Sequence, residues 1–217
     1  MSNTSDKVPV NILVLVSGGG TNLQALLDAE KKGSPLYSLG GKICAVISDR
    51  SGAYALERAK TAGVPAFVEQ PRAELSKQER RQELSDRILH FCRKNEVGII
   101  VFAGFLSILT GDIIEEYSGR IINIHPALLP KFGGEGMYGE NVHRAVLDAG
   151  ESESGCTVHL VDAGTDTGPV LLQRKVPVLP GDNPESLAER ILKEEHIAIV
   201  EAVKILIERE NEKAGAH

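Results

Sequence analysis

Apolar runs and amphipathic segments alternate along this chain, beginning close to its N-terminus. The first run, VNILVLVSG over residues 10–18, is apolar at nearly every position and ends in glycine, which is typical of a parallel strand covered on both faces. The segment that follows carries Leu23, Leu26 and Leu27 at helical spacing and stops at Gly33. This pattern predicts a buried strand, a glycine-rich turn and an amphipathic helix.

The alternation continues through most of the chain. Further strands are predicted in KICAVISD, VPAFVEQ, VGIIVFAG and RIINIHP, and further helices in AYALERAKTAG, in residues 74–95 and in VHRAVLDAG. Two late runs, GCTVHLVDAG and GPVLLQRKVPVL, predict an antiparallel extension before a last helix from about Asn183 to Glu210. The sequence therefore predicts an α/β fold: a doubly wound, mostly parallel sheet with helices on both faces and some antiparallel strands late in the chain.

Length and composition fit one domain. The 217 residues can bury a sizeable core, so we predict a single domain over 1–217 with flexible termini at 1–8 and 211–217. The net charge of −6 argues against a nucleic-acid surface. The three scattered cysteines are typical of a reduced, cytoplasmic protein. We expect no membrane span and no metal site, because the longest apolar run is short and the histidines lack ligand spacing.

Two polar residues interrupt the strand predicted in RIINIHPALLP. Asn123 and His125 alternate with isoleucines and therefore point to the same face. Burying both without partners would cost on the order of 1–3 kcal/mol each, and ligands of doubly wound sheets bind at the carboxyl ends of strands. An amide donor beside an imidazole suits acyl transfer, since one group stabilises an oxyanion and the other moves a proton. Pro126 ends the strand.

The stretch SGGGTN over residues 17–22 joins the first strand to the first helix. Its glycines let backbone N–H groups approach an anion, and the helix N-terminus adds a favourable dipole. The spacing fits neither G-x-G-x-x-G nor G-x-x-x-x-G-K. We therefore expect a site for a single phosphate; the alternative is a tight turn with Thr21 as the helix cap.

Three acidic residues add candidate chemistry. The turn DAGTDTGPV holds Asp162 and Asp166, which either form ordinary Asx-turns or bring a carboxylate to the same strand-end side of the sheet. Glu195 falls inside the apolar stripe of the last helix, where a carboxylate is uncommon unless it is paired or binds a cation. A functional role and a buried ion pair are both open for Glu195.

Five stretches carry a resemblance to a known family. VLVSGGGTNLQALLDA, FAGFLSIL, RIINIHPALLPKF, GCTVHLVDAGTDTGPVLLQ and VPVLPGD resemble, in this order, the phosphoribosylglycinamide formyltransferases, folate-dependent enzymes of purine (IMP) synthesis. The resemblance extends from about Asn11 to Ile207. The N-I-H-P and D-x-G-P elements mark the wider formyltransferase superfamily, whereas the S-G-x-G-[ST]-N start and the late Glu-His pair narrow the resemblance to this family.

The resemblance implies a role for each matching position. The catalytic residues would be Asn123, His125 and Asp166. Glycinamide ribonucleotide would bind through a phosphate loop and, at its glycinamide end, through an acid, with the residues Gly18, Gly19, Gly20, Thr21, Asn22, Pro126 and Glu195. The formyl donor 10-formyltetrahydrofolate would bind at Arg81, Phe105, Leu106, Ser107, Ile108, Leu109, Asn123, Val161, Asp162, Ala163, Gly164, Thr165 and Asp166.

The implied reaction is attack of the glycinamide amine on the formyl carbon. Asn123 would donate to the oxyanion, His125, held protonated or nearly so, would share its charge, and Asp166 would accept the amine proton through water. Ser107 stands where family members commonly carry Arg, so no side-chain contact to folate is assigned to it. The loop FGGEGMYGEN is longer than in many members, so no substrate contacts are assigned within it. The partners implied are small-molecule substrates, no nucleic acid and no membrane, for a cytoplasmic monomer or weak homodimer without a metal.

Three other interpretations stay open. A formyltetrahydrofolate hydrolase would use the same trio with water as acceptor, but it normally carries an N-terminal regulatory domain, which we do not expect here. A non-catalytic nucleotide-binding module would leave Asn123, His125 and Asp166 unexplained. A methionyl-tRNA or sugar-nucleotide formyltransferase is less favoured, since the first would need a C-terminal RNA-binding domain and a basic face.

Overall fold

The computed structural model describes residues 9–215 of the chain, and its strands form one sheet. The strands are β1 (Val10–Val16), β2 (Gly41–Ser48), β3 (Ala66–Val68), β4 (Val97–Phe102), β5 (Ile121–His125), β6 (Glu153–Leu160) and β7 (Val170–Pro177). Their order across the sheet is β3-β2-β1-β4-β5-β6-β7. Strands β1 to β5 run parallel to one another, whereas β6 pairs antiparallel with both β5 and β7. The predicted fold class is confirmed.

Helices cover both faces of the sheet. They are α1 (Thr21–Ala29), α2 (Pro35–Ser38), α3 (Tyr54–Thr61), α4 (Lys77–Lys94), α5 (Asp112–Glu116), α6 (Glu140–Asp148) and α7 (Pro184–Gly215). Side chains of α4 and α5 pack in one core cluster and those of the other helices in a second. The sequence pattern missed the short α2. Residues 211–215, predicted to be a flexible terminus, continue α7, while 1–8 and 216–217 lie outside the described residues.

Strand β1 illustrates why the sheet needs helices on both sides. Ile12, Val14 and Val16 pack in the cluster that contains α1 and α7, whereas Leu13 and Leu15 pack in the cluster that contains α4. Full burial of each such side chain stabilises the fold by about 1.5–3 kcal/mol. The continuous apolar run is thus the expected sequence of a central parallel strand.

The direction of winding reverses between β1 and β4. β2 and β3 extend the sheet from one edge of β1, and β4 to β7 extend it from the other, so a crevice opens at the carboxyl ends of β1 and β4. Two hydrogen bonds join the chain there: Ser17 N donates to Gly104 O at 3.0 Å, and Leu106 N donates to Ser17 Oγ at 2.8 Å. These bonds hold the glycine loop after β1 beside the segment that follows β4.

The start of α4 is fixed by a capping box. Glu79 N donates to Ser76 Oγ at 3.3 Å, and Ser76 N donates to Glu79 Oε2 at 2.9 Å, which satisfies two backbone donors at the helix end. Lys77, Arg80 and Arg81 therefore fall in the first two turns of α4, where all three line the crevice.

Candidate active site

A cleft of about 610 Å³ lies at the carboxyl ends of the parallel strands, within the range of roughly 300–1,000 Å³ that is usual for small-molecule sites. The structure brings to its wall most of the predicted site residues: Asn22, Arg81, Phe105, Leu106, Ser107, Ile108, Leu109, Asn123, His125, Pro126, Val161, Asp162, Gly164, Thr165, Asp166 and Glu195. The predicted residues that do not line the cleft are Gly18, Gly19, Gly20, Thr21 and Ala163. The first four immediately precede Asn22 in the chain, and Ala163 lies between two lining residues.

One carboxylate bridges the two polar side chains of β5. Asn123 and His125 lie at the end of that strand, and Asp166 lies in the loop between β6 and β7. Asp166 Oδ2 is 3.6 Å from His125 Nδ1, and Asp166 Oδ1 is 3.4 Å from Asn123 Nδ2. The strand alternation and the loop thus place an amide, an imidazole and a carboxylate on one wall of the cleft.

Both ring nitrogens of His125 face acceptors. Nε2 donates to Phe132 O at 2.8 Å, and Nδ1 is directed towards Asp166. Burial lowers the pKa of His125 below its ordinary value, and the opposing effects of Asp166 and the Phe132 carbonyl only partly offset this. In this structure the ring is therefore neutral at neutral pH, with Nδ1 able to take up a proton. The role that the resemblance implies for His125, with the ring protonated or nearly so during the reaction, stays a prediction.

The backbone around Asp166 is built to hold its side chain. Asp166 has φ +57°, and its Oδ2 accepts a hydrogen bond from Gly134 N at 3.0 Å. A Cβ at Gly133 would lie 2.5 Å from the Cδ2 methyl of Leu129 and 3.2 Å from Asp166 Cβ, so a larger residue here would have to displace both side chains. Burial alone would raise the pKa of Asp166, but His159, the Gly134 N–H and His125 outweigh it and lower the pKa. The carboxylate is ionised at neutral pH.

A second buried histidine holds Asn123. His159 Nδ1 donates to Leu160 O at 2.9 Å, and its Nε2 lies 3.1 Å from Asn123 Nδ2 and 3.5 Å from Asp166 Oδ1. The antiparallel register pairs Asn123 directly with His159. One amide N–H of Asn123 is thus fixed by His159. The other makes only a long bond to Asp166 and can turn to a ligand oxygen.

Glu195 and Asn22 form a buried pair at the base of the cleft. Asn22 Nδ2 donates to Glu195 Oε2 at 2.8 Å, and the two side chains are 7% and 8% exposed. Burial raises the pKa of Glu195 above its ordinary value, and the amide of Asn22 opposes this rise. Within the described residues the hydrogen-bond partner of Glu195 is this amide, so the buried ion pair considered from the sequence is not formed.

The glycine loop is supported from below by α3. Ala55 N donates to Gly18 O at 3.1 Å, and Arg58 Nε donates to Gly19 O at 2.8 Å. Gly20 has φ +72° and is the N-cap residue of α1, so the predicted cap at Thr21 is wrong. A Cβ at Gly20 would lie 2.5 Å from that of Ala55, whereas a Cβ at Gly18 or Gly19 would meet no atom within 4 Å. The open side of the loop is available to a ligand.

The segment after β4 forms the apolar wall of the cleft. Phe105, Leu106, Ile108 and Leu109 line it, and Phe105 packs edge-on against Phe102 with ring centroids 5.3 Å apart. Ser107 donates its hydroxyl proton to Asp49 Oδ2 at 2.7 Å. The side chain of Ser107 is thus held by a protein carboxylate.

The long loop after β5 completes the cleft. Residues 134–139, which the sequence left without a role, line its outer wall. Lys77 Nζ lies 3.0 Å from Glu135 Oε1, and this ion pair links the start of α4 to the loop. Both partners are exposed, so the ion pair contributes little to stability.

Neither a membrane helix nor a metal cluster accompanies the cleft in residues 9–215. No helix there combines the length and apolar character that crossing a bilayer requires. In the same part of the chain, no three His, Cys, Asp or Glu side chains are grouped as ligands for a metal ion.

The family model described as formyl transferase matches residues 10–203, which contain the whole sheet and all three candidate catalytic residues. The chain belongs to the formyl transferase family.

The names of individual relatives agree with this family assignment. The phosphoribosylglycinamide formyltransferase of Escherichia coli K12 is 38% identical over 187 residues, which is 86% of this formyl transferase chain and 82% of the relative. A solved structure of glycinamide ribonucleotide transformylase 1 from Symbiobacterium toebii has a TM-score of 0.82 and 39% identity, and 95% of this chain and 93% of that one are covered. The trifunctional purine biosynthetic protein adenosine-3 of Drosophila melanogaster is 40% identical, but the chain spans only 14% of its length. The resemblance inferred from the five sequence stretches is confirmed.

Sequence reasoning on this formyl transferase missed His159, although a signal for it was present. Thr157 and His159 interrupt an apolar run two residues apart, which is the same alternation that drew attention to Asn123 and His125. Both pairs face each other across β5 and β6, with Asn123 opposite His159 and His125 opposite Thr157. A search for every such pair in the predicted strands would have found it.

Proposed function

We propose that this chain transfers the formyl group of 10-formyltetrahydrofolate to the glycinamide amine of phosphoribosylglycinamide, a step of de novo purine (IMP) biosynthesis. The observation that carries the proposal is the convergence of Asn123, His125 and Asp166, with contacts of 3.4–3.6 Å, on the wall of one cleft. The names of the E. coli relative and of the similar solved structures support the same reaction.

The ribonucleotide would enter from the glycine loop. Its phosphate suits the open side of Gly18 and Gly19, where backbone N–H groups and the start of α1 favour an anion. The loop precedes Asn22, which lines the same cleft as Glu195 and the catalytic trio. A molecule with a phosphate at one end and an amine at the other fits this arrangement.

The folate would lie along the other side of the cleft. The residues from Phe105 to Leu109 supply an apolar wall for its ring system, and Val161, Asp162, Gly164, Thr165 and Asp166 line the same cleft. Arg81, with Lys77 and Arg80, places positive charge at the rim, where the carboxylates of the folate's glutamate end can bind. The formyl group would then lie next to Asn123 and His125.

The chemistry follows from the protonation states of the trio. The amine nitrogen bonds to the formyl carbon, and the carbonyl electron pair moves to oxygen, where the free N–H of Asn123 can donate. His125 Nδ1 takes up the proton that the amine loses, and the ionised Asp166 stabilises the resulting imidazolium. When the bond from the carbon to N10 breaks, that proton passes to N10. Each residue thus has one task that its position and pKa support.

The phosphate loop gives a prediction with an internal control. Gly19→Val should raise KM for the ribonucleotide by about tenfold or more and leave KM for the folate nearly unchanged, because only backbone approach by the phosphate is blocked. The variant should fold normally, since no atom lies within 4 Å of the added Cβ. Gly20→Val should instead lower Tm, because its Cβ would clash with Ala55 and because a φ of +72° is strained for valine. Steady-state kinetics that show equal effects of Gly19→Val on both substrates would make the loop a structural turn.

Glu195 gives a prediction about stability and function together. Because burial raises its pKa, the Glu195 carboxyl ionises at a lower pH in the unfolded chain than in the folded protein. The folded state therefore loses stability as the pH rises from the ordinary pKa of a glutamate to the raised pKa of Glu195. Glu195→Gln should therefore raise Tm at neutral pH and leave it unchanged below the ordinary pKa of a glutamate. Use of the ribonucleotide should fall about tenfold. A Tm that drops at neutral pH would contradict the account.

The experiment that tests the proposal uses a donor labelled with ¹³C in its formyl group. After incubation with the ribonucleotide, mass spectrometry should find the label in the formylated ribonucleotide. Label found as free formate would instead indicate the hydrolase. We further propose a cytoplasmic monomer or weak homodimer that acts on small molecules and not on nucleic acid, as the charge of −6 supports.

A further inference from the structure

A row of three polar side chains crosses the sheet level with His125. The antiparallel register places Thr157 of β6 opposite His125, and it places Gln173 of β7 opposite Thr157. Residues that lie directly opposite each other on paired strands share one face of the sheet, so Thr157 and Gln173 lie on the same face as the histidine. The mechanism proposed above uses His125 and gives the other two no task.

Thr157 is fully buried, and its hydroxyl makes three hydrogen bonds. It donates to Ala127 O at 2.6 Å, and it accepts from Leu129 N at 3.0 Å and from Gln173 Nε2 at 2.8 Å. Gln173 Nε2 also donates to Leu129 O at 2.9 Å. A hydroxyl has one proton and two lone pairs, and an amide nitrogen has two protons, so both groups use their full capacity. Together they hold the backbone of the segment that leaves β5.

Leu129 connects this network to the histidine. Its Cδ2 methyl would lie 2.5 Å from a Cβ at Gly133, so the leucine side chain packs directly against the backbone of that glycine. The residue before Gly133 is Phe132, whose carbonyl oxygen accepts a hydrogen bond from His125 Nε2 at 2.8 Å. The position of Leu129 therefore influences where the Phe132 carbonyl meets the imidazole ring.

The Phe132 carbonyl determines which nitrogen of the neutral His125 ring carries the proton. A carbonyl oxygen can only accept, so the contact with Phe132 keeps the proton on Nε2 and leaves Nδ1 as the basic nitrogen. The ionised Asp166, 3.6 Å from Nδ1, favours the opposite tautomer, because a carboxylate attracts an N–H. If the carbonyl moved away, the proton would lie on the nitrogen that has to take up the amine proton.

We propose that Gln173 and Thr157 are positioning residues for formyl transfer: through the backbone of Leu129 they hold the Phe132 carbonyl against Nε2 of His125 and so keep Nδ1 free for the amine proton. The inference rests on the proposed function and adds to it two residues that do not line the cleft. Gln173 lies exposed on the edge strand β7, where its replacement leaves no cavity in the core.

The first test is a comparison of kinetic constants for variants of the full chain. Gln173→Met has a similar length but no N–H, and it should lower kcat for formyl transfer by about tenfold, since small displacements of reacting groups are costly. KM for both substrates should stay within about threefold, because no substrate contact is removed. Gln78→Met, the same replacement at an exposed position of α4 outside the cleft, should change neither constant.

Thr157 supplies a matched pair of variants. Thr157→Val keeps the shape of the side chain but removes the hydroxyl, and it should lower kcat at least as much as Gln173→Met. Thr157→Ser keeps the hydroxyl and should retain most of the activity. Because the valine variant leaves buried backbone groups without partners, Gln173→Met decides the matter if Thr157→Val fails to fold.

The tautomer of His125 provides a second measurement, which needs no substrate. Nitrogen-15 NMR of the ring, at a pH where it is neutral, should find the proton on Nε2 in the wild type, in Thr157→Ser and in Gln78→Met. In Gln173→Met a substantial fraction of the molecules should carry it on Nδ1. A residue that only stabilises the fold would lower Tm and leave this ratio unchanged.

Two results would overturn the inference. A folded Gln173→Met variant with normal kcat would remove the network from catalysis, and a loss of kcat with the wild-type tautomer would exclude the route through the Phe132 carbonyl. Failure of the proposed function is distinguishable from both, because the wild type would then transfer no formyl group even with the proton of His125 on Nε2.

Discussion

We expect His125→Ala to lower kcat for formyl transfer by about 10²–10³, with KM for both substrates within about tenfold of the wild-type values. The imidazole lies 3.6 Å from Asp166 and is nearly fully buried, so the variant removes the group that takes up the amine proton without removing a substrate anchor. Steady-state kinetics with each substrate varied in turn measure both effects.

His90→Ala is the matched control for this variant. His90 is exposed on α4 and does not line the cleft, so its replacement should leave kcat unchanged. If His125→Ala kept near wild-type turnover while its Tm and folate binding were normal, His125 would have no part in the reaction.

Asp166→Asn should lower kcat by about 10²–10⁴, the usual range for a group in proton transfer. Asparagine has almost the same shape, tolerates the φ of +57°, and can still accept the Gly134 N–H. The variant therefore changes charge more than structure. Because Asp166 opposes the effect of burial on His125, its neutralisation should also lower the pKa of His125 further.

An NMR titration of His125 in the wild type and in Asp166→Asn tests that second effect. The pKa of His125 should be lower in the variant, and the pH at which transfer is lost should move with it. Asp112→Asn, on the exposed start of α5, is the control for a charge change elsewhere. A large loss of kcat with an unchanged His125 pKa would assign Asp166 a role independent of the histidine.

The sequence predicted the fold well because the physical signals were local. A strand buried on both faces must be apolar throughout, as in Val10–Val16, and helices must be amphipathic, so alternation alone specified a doubly wound sheet. The same reasoning found Asn123 and His125, since polar residues at alternate positions of a buried strand must share one face.

Other features depend on packing between distant segments. The pairing of Asn123 with His159 follows from an antiparallel register that no local pattern specifies. The support of Gly19 by Arg58 joins residues 39 positions apart. The pKa of His125 depends on how deeply the ring is buried, and spacing along a strand cannot give that depth. The bond from Asn22 to Glu195 spans 173 positions, so the sequence placed the two residues in separate roles.

The central claim is tested most directly by the rate at which the formyl donor is consumed, followed spectrophotometrically with and without phosphoribosylglycinamide. A transferase whose cleft positions the amine beside the formyl carbon gains its rate from that placement, which can be worth several kcal/mol. We predict rapid consumption with the ribonucleotide present, one formylated product for each folate released, and only background consumption without it. Consumption at the same rate in both cases, with formate as the product, would contradict the account.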